Sequence, residues 1–276
     1  MSQLQQLSQR ANIETFSYRG KDIVLYDDHR TILNIIFEAN KLNVFSETPN
    51  LIYFDRHDDA CKSFVKSEIL GKIGVSSLDN ATSKQFWGFT EFDLSHLDDD
   101  WLLVGMELDL IKDAVLIGQE ENHNIQTLNN KYISESGMVH ELYSIPHLSS
   151  SLNNRGCLGD AIIKESHFKN VREIVQFNHD SFTDDEVKPF ILDFDLDCFT
   201  SISRNKTHSW LEYIFTQEFY ANTTVRYFMQ SLIQRASFIT ICREAKCCGG
   251  LGESNKILNY LDRYLFDGNL DTDAIY

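Results

Sequence analysis

The chain has 276 residues, with 41 acidic against 25 basic side chains and a formal net charge of −16. That balance argues against a nucleic-acid partner, which is held through clustered Lys and Arg, and favours a cationic ligand. A hydrophobic content of 42%, an aromatic content of 12% and three prolines exclude a disordered or low-complexity chain.

Met1 to Gly20 is polar and Gln-rich with no apolar h-region, so no signal peptide is expected. Ile23 to Tyr26 reads as a short buried strand running into Asp27-Asp28-His29. Thr31 to Leu42 follows as a helix, with Ile32, Ile35, Ile36 and Ala39 at helical spacing. Leu51 to Phe54 is a second strand, ending in Asp55-Arg56-His57-Asp58-Asp59. Strand, helix, strand is the unit from which parallel sheets are built, and uniformly apolar strands imply a sheet covered on both faces. The expectation is an α/β fold, three-layer α/β/α with a mainly parallel sheet, in one domain over residues 1–276.

Gly71 to Leu152 mixes aromatic and acidic residues, as in Phe86-Trp87-Gly88-Phe89 and Asp98-Asp99-Asp100, and reads as helices and long loops inserted around a site mouth. Its most apolar part, Trp101 to Ile117, contains Glu107, Asp109, Lys112 and Asp113 and cannot span a bilayer. No membrane partner is expected, and the chain reads as cytoplasmic. Phe190 to Phe194 reads as a strand leading into Asp195-Leu196-Asp197. Trp210 to Phe219 and Thr224 to Arg235 read as helices, and Phe238 to Cys242 as a strand ending in Arg243-Glu244. Cys247-Cys248-Gly249-Gly250-Leu251-Gly252 matches no phosphate-loop pattern and reads as a strand-to-helix turn. The helix after it carries Ile257, Leu258, Leu261, Tyr264 and Leu265. Cys61, Cys157, Cys198, Cys242, Cys247 and Cys248 show no C-x-x-C spacing, so free thiols are expected. Cys198 and Cys242 should pack as small hydrophobes.

In open parallel sheets, ligands bind beyond the carboxyl ends of the strands. His29, the alternate residues Asp55, His57 and Asp59, and the pair Asp195 and Asp197 all fall there. Alternation brings Asp55, His57 and Asp59 to one point and leaves Arg56 and Asp58 pointing away. Singly, each is an ordinary turn residue or helix cap; three strand ends together point to a metal centre. Four Asp charges balance two divalent cations, and oxygen-rich ligation without thiolate favours Mn2+ over Mg2+, Fe2+ or Zn2+. Such a pair of cations activates water at neutral pH.

These motifs resemble the ureohydrolase family, the arginase and agmatinase group. Asp55-Arg56-His57-Asp58-Asp59 is similar to D-A-H-x-D, Phe194-Asp195-Leu196-Asp197 to S-F-D-x-D, and Asp28-His29 to the end of G-G-D-H-S, in the same order. The resemblance spans Ile23 to Glu244, with close matches only in the three motifs. It implies the arginase/deacetylase-like fold, with Asp55 and Asp195 bridging two Mn2+ ions. His29 and Asp59 would complete one shell, and His57 and Asp197 the other. It also implies attack of a metal-bound hydroxide on a guanidinium carbon with release of urea. A shifted register using Asp193 and Asp195 stays open, although aligning Phe194-Asp195 puts Asp193 at a Ser position behind the ligands. Tyr26 and Asp27 replace two glycines, and the Asp-Pro after the third motif is absent. These departures resemble the divergent group that includes the peptide arginases, which convert arginine in ribosomally made precursor peptides to ornithine. An arginine-containing precursor peptide is the implied partner. Glu244 occupies the place of the Glu that holds the guanidinium, but it also reads as a surface Glu paired with Arg243 or Lys246. His123, His140 and His147 are candidate proton shuttles. Two other readings stay open: a deacetylase-like amidohydrolase of the same fold with one metal, in which His29 and Asp59 are not ligands, and a non-catalytic acidic protein that binds peptides.

Overall fold

The computed structural model describes residues 4–9, 12–95, 97, 99–118, 124–145, 188–203, 206–209, 214–221 and 223–270. Its strands are β1 (Glu14–Tyr18), β2 (Lys21–Tyr26), β3 (Asn50–Phe54), β4 (Ala114–Ile117), β5 (Lys131–Ile133), β6 (Val139–Ile145), β7 (Phe190–Asp195), β8 (Thr200–Ser203), β9 (Lys206–Ser209) and β10 (Phe238–Cys242). The longer helices are α1 (Thr31–Lys41), α2 (Lys66–Ile73), α3 (Ser83–Phe92), α4 (Trp101–Glu107), α5 (Thr223–Arg235) and α6 (Leu251–Leu265).

Eight strands form one sheet in the order β1-β2-β10-β7-β3-β4-β6-β5. The six from β2 to β6 run parallel, and β1 and β5 close the edges in antiparallel sense. Strands β3, β7 and β10 are buried along their whole length, as a sheet covered on both faces requires. On one face Ile23, Leu25, Ile52, Phe54, Leu192, Phe194, Ile239 and Ile241 pack with α5 and α6. On the other Val24, Tyr26, Leu51, Tyr53, Ile191 and Phe238 pack with α1 to α4. The alternation of β-strand side chains divides each strand between the two cores. The architecture is α/β in three layers with a mainly parallel sheet.

The stretch from Gly71 to Leu152 departs from the expectation of an insertion. As far as residue 145, and apart from 96, 98 and 119–123, it is described, and it supplies the end of α2, all of α3 and α4, and strands β4, β5 and β6 of the main sheet. The reason is physical. Helix α4 and strand β4 share the apolar run Trp101 to Ile117, and a four-residue buried strand has no periodicity to separate it from buried helix. Strand β1 went unread because its residues are only partly buried, as edge strands are. Where a helix was expected over Trp210 to Phe219, a π-helix runs from Ile214 to Ala221; residues 210–213 lie outside the described residues. Cys61, Cys198, Cys242, Cys247 and Cys248 are free thiols, with Cys198 and Cys242 buried; Cys157 lies outside the described residues. No helix among the described residues is long and apolar enough to cross a membrane.

Ile52 sits fully buried in the middle of β3. Replacing it with Ala should cost about 2–5 kcal/mol in urea unfolding. A loss under about 1 kcal/mol would contradict a central place for this strand.

Candidate metal centre

Strands β3 and β7 are neighbours, but their connections leave in opposite directions. The chain leaves β3 for β4 through α2, α3 and α4 on one face, and leaves β7 for β10 through α5 on the other. A crevice opens beyond the carboxyl ends at such a switch point. The candidate residues gather there. His29 stands just before α1; Asp55 to Asp59 follow β3; Asp195 ends β7 and Asp197 lies in the 3-10 turn after it; Glu244 follows β10.

His29 Nδ1 lies 3.2 Å from Asp55 Oδ2, 2.9 Å from Asp59 Oδ2 and 3.1 Å from Asp195 Oδ2. His57 Nδ1 lies 3.1 Å from Asp197 Oδ2 and 3.8 Å from Asp55 Oδ1. Three overlapping donor groups result: His29, Asp55 and Asp59; His29, Asp195 and Glu244; and Asp55, His57 and Asp197. A fourth joins Asp197 and Glu244 to Cys247.

The loops fix one oxygen of each central carboxylate. Asp55 Oδ1 accepts from the His57 amide at 2.7 Å, Asp195 Oδ1 from the Asp197 amide at 2.9 Å, and Asp197 Oδ1 from the Arg56 amide at 3.2 Å. The second oxygen of each, Oδ2, is buried with no hydrogen bond aligned on it. Buried carboxylate oxygens in that state are costly. Ligand atoms around one cation stand about 3 Å from each other when each is about 2.1 Å from the ion, so the observed spacings fit coordination, and His29 Nδ1, which carries at most one proton, cannot hydrogen-bond all three oxygens that face it. By this test the residues suit divalent metal.

The remaining groups hold these donors in place. His29 Nε2 meets Asp193 Oδ2 at 2.9 Å, while Asp193 Oδ1 accepts hydroxyls from Tyr26 at 3.1 Å and Thr240 at 2.5 Å. Asp193 thus lies behind the imidazole, and Asp195 and Asp197 lie among the converging atoms. Asp59 adopts a left-handed backbone, φ 48°, and its Oδ2 accepts from Trp101 Nε1 at 2.6 Å. The Trp101 ring also packs on His29, with centroids 4.8 Å apart.

Of the two alternate residues, Arg56 does not point away as expected. Arg56 is buried: Nη1 donates to Thr200 Oγ1 at 2.9 Å and Nη2 lies 3.5 Å from Asp197 Oδ2. Asp58 accepts from the Ile125 amide at 3.0 Å, fixing the turn Asn124–Thr127. Arg56 turns inward because the chain after Phe54 leaves strand geometry, and strict alternation ends with the strand.

Glu244 is not a surface partner of Arg243, which pairs with Asp27 at 2.6 Å and Glu14 at 3.1 Å. A left-handed backbone, φ 29°, turns Glu244 over the strand end, where a carboxylate oxygen lies within 4.8 Å of His29 and Asp195 donor atoms and Oε1 accepts from Cys247 Sγ at 3.1 Å. A non-glycine residue at positive φ stores strain, and such positions cluster at functional sites. His140 lies at the start of β6, its Nδ1 2.5 Å from the Lys112 carbonyl, at the amino ends of the strands and so away from the crevice. That position removes it as a proton shuttle; His123 and His147 lie outside the described residues.

No part in the centre was expected of Trp101, Tyr26, Thr240 or Thr200. Thr240 and Asp193 did carry a signal, since each is a polar residue inside a wholly apolar strand and must find a buried partner. Register places them side by side. Nothing in the sequence marked Trp101.

Electrostatics follow from crowding. Burial, then the Asp59 charge, push Asp55 well above the usual carboxylate range. Burial and the Asp197 charge push Asp195 up to about 7, and burial and Asp195 push Glu244 up to about 11. Burial opposes ionisation of Asp197, but the His57 imidazole beside it and the charges of His57 and Arg56 outweigh it and lower its pKa. Burial also opposes charging of His57, which Asp197 nevertheless raises to about 10.

No family model matches the chain, and no curated protein matches it. Among solved structures, Helicobacter pylori arginase is similar at 13% identity with a TM-score of 0.42, over 95% of this chain and 76% of that one. A likeness at that level does not fix an activity.

Asp195 titrates near 7 in the fold against about 4 when unfolded. A raised carboxylate stabilises below its unfolded pKa, and that contribution is lost as pH rises through the folded value. Without metal, the protein should therefore lose stability between about pH 4 and pH 7, and cations should replace the departing protons. Differential scanning fluorimetry should show a larger Mn2+-induced rise in Tm at about pH 8 than at about pH 6. Equal shifts, or none, would count against a metal centre here.

Proposed function

We propose that the chain is a binuclear-metal hydrolase of the ureohydrolase type, acting on the guanidinium of an arginine side chain within a peptide and releasing urea and ornithine. The observation that carries this reading is the set of buried Oδ2 oxygens on Asp55, Asp195 and Asp197, each with a fixed partner oxygen and an imidazole nitrogen 3.1–3.2 Å away. His29, Asp55, Asp59 and Asp195 would hold one cation, and Asp55, His57, Asp195 and Asp197 the other. When bound, the cations supply charge that acidifies water and stabilises the tetrahedral transition state.

The chain's own residues define the approach. The His29 side chain is 1% exposed and that of His57 is 46% exposed, so the crevice opens on the His57 side. Glu244 stands at this strand end as an acceptor for guanidinium N–H groups, a planar cation that pairs well with a carboxylate. Its high affinity for a proton falls when a cation settles beside it. Cys247 Sγ–H holds one Glu244 oxygen and leaves the other for substrate. Trp101 and Tyr53 wall the inner side and keep water from Asp59 and His29. The net charge of −16 favours encounter with a cationic peptide. A deacetylase-like chemistry would leave His29 and Asp59 without a role, and their convergence on Asp55 speaks for the two-metal reading.

The Mn2+-loaded protein should release urea from an arginine-containing peptide, with ornithine in the product by mass spectrometry, and little from free arginine or agmatine. No urea from any of the three at full metal occupancy would overturn the proposal. Glu244→Gln should raise KM for the peptide about 10- to 100-fold, because a charge-assisted hydrogen bond contributes about 1.5–3 kcal/mol. Unchanged KM would remove Glu244 from substrate binding.

A further inference from the structure

The two imidazoles of the centre are held in opposite ways. Behind His29, the carboxylate of Asp193 takes hydroxyl protons on Oδ1 and faces Nε2 with Oδ2, 2.9 Å away. An acceptor there places the imidazole proton on Nε2 and leaves the Nδ1 lone pair facing Asp55, Asp59 and Asp195. Behind His57, Nε2 faces Arg56 Nη2 at 3.4 Å. A guanidinium only donates. It favours a lone pair on Nε2 and therefore a proton on Nδ1, the nitrogen aimed at Asp197. To offer Nδ1 to a cation, His57 must carry its proton on Nε2, against Arg56.

Charge acts in the same direction. Arg56 lies 3.5 Å from Asp197 Oδ2, and its side chain, 5% exposed, is held by Thr200 Oγ1 at 2.9 Å. A permanent cation already neutralises part of the carboxylate that a second metal would use. The exposed ring of His57 adds competition from water that the buried ring of His29 escapes.

We propose that the centre is built unequal: the half formed by His29, Asp55, Asp59 and Asp195 binds metal tightly, and Arg56 makes the half formed by Asp55, His57 and Asp197 a weak, exchangeable cation site. The inference rests on the binuclear reading above. Arg56 is a positioning residue that acts through His57 and Asp197.

Mn2+ titration of the full chain, read by the EPR signal of free Mn2+ and by calorimetry, should resolve one tight equivalent and a second about 10-fold or more weaker. Arg56→Gln, neutral and of similar reach, should tighten the second class about 10- to 100-fold and leave the first unchanged. Thr200→Val, which removes one hold on Arg56 without removing its charge, should tighten the second class by a smaller factor. Retention of the first class in each variant reports an intact centre. Two equal sites in the unaltered protein, or a second class unmoved by Arg56→Gln, overturn the inference and leave the binuclear reading standing. If Arg56→Gln loses the first class as well, Thr200→Val decides, and an unmoved second class there overturns it. No bound Mn2+ at all overturns the binuclear reading itself.

Discussion

Five carboxylates buried at one end of a parallel sheet set the terms for everything else in this structure. Asp55, Asp193, Asp195 and Asp197 are fully buried and Asp59 is 5% exposed. Uncompensated, such charges cost several kcal/mol each. The fold therefore assigns every oxygen a partner or a purpose. Asp193 receives Tyr26, Thr240 and His29, and Asp59 receives Trp101. Asp55, Asp195 and Asp197 each receive one loop amide and keep one oxygen for the shared space.

The spacing in D-x-H and D-x-D thus has two meanings. Within a strand, alternate residues face the same way. Beyond the strand, the side chain of residue i accepts the amide of residue i+2, which closes an Asx-type turn. Asp55 does this with His57, and Asp195 with Asp197. The same two residues that present oxygens to the centre also fix the turn that aims them. The turns in turn bring the Arg56 amide onto Asp197, which ties the loop after β3 to the loop after β7. Neighbouring parallel strands make this possible, because their carboxyl ends finish side by side.

Much of this was legible in the sequence because buried strands and clustered Asp and His are local signals. Leu51 to Phe54, Phe190 to Phe194 and Phe238 to Cys242 each read correctly as fully buried strands. The convergence of His29 with Asp55, Asp59 and Asp195 could be expected from their place at strand ends. What was not legible depends on contacts distant in sequence. β4 is too short for a period, and Trp101 reaches Asp59 only because α4 packs across the strand ends. Arg56 was misread because alternation was carried past the last strand residue, Phe54.

The departures from the ureohydrolase pattern acquire a physical connection in the structure. Where the pattern has glycine, this chain has Tyr26, and where it has Ser, this chain has Asp193. These two residues meet: the Tyr26 hydroxyl donates to Asp193 Oδ1 beside that of Thr240. A carboxylate at 193 without those hydroxyls would leave a buried oxygen unsatisfied, and a tyrosine at 26 without an acceptor would leave a buried hydroxyl unsatisfied. Asp27, at the other replaced glycine, holds Arg243, whose amide donates to the Tyr26 carbonyl at 2.8 Å. The changes therefore form one hydrogen-bonded unit across β2, β7 and β10. Its output is a firm grip on the far side of His29, so the unit that departs most from the pattern is also the one that aims the imidazole at Asp55, Asp59 and Asp195.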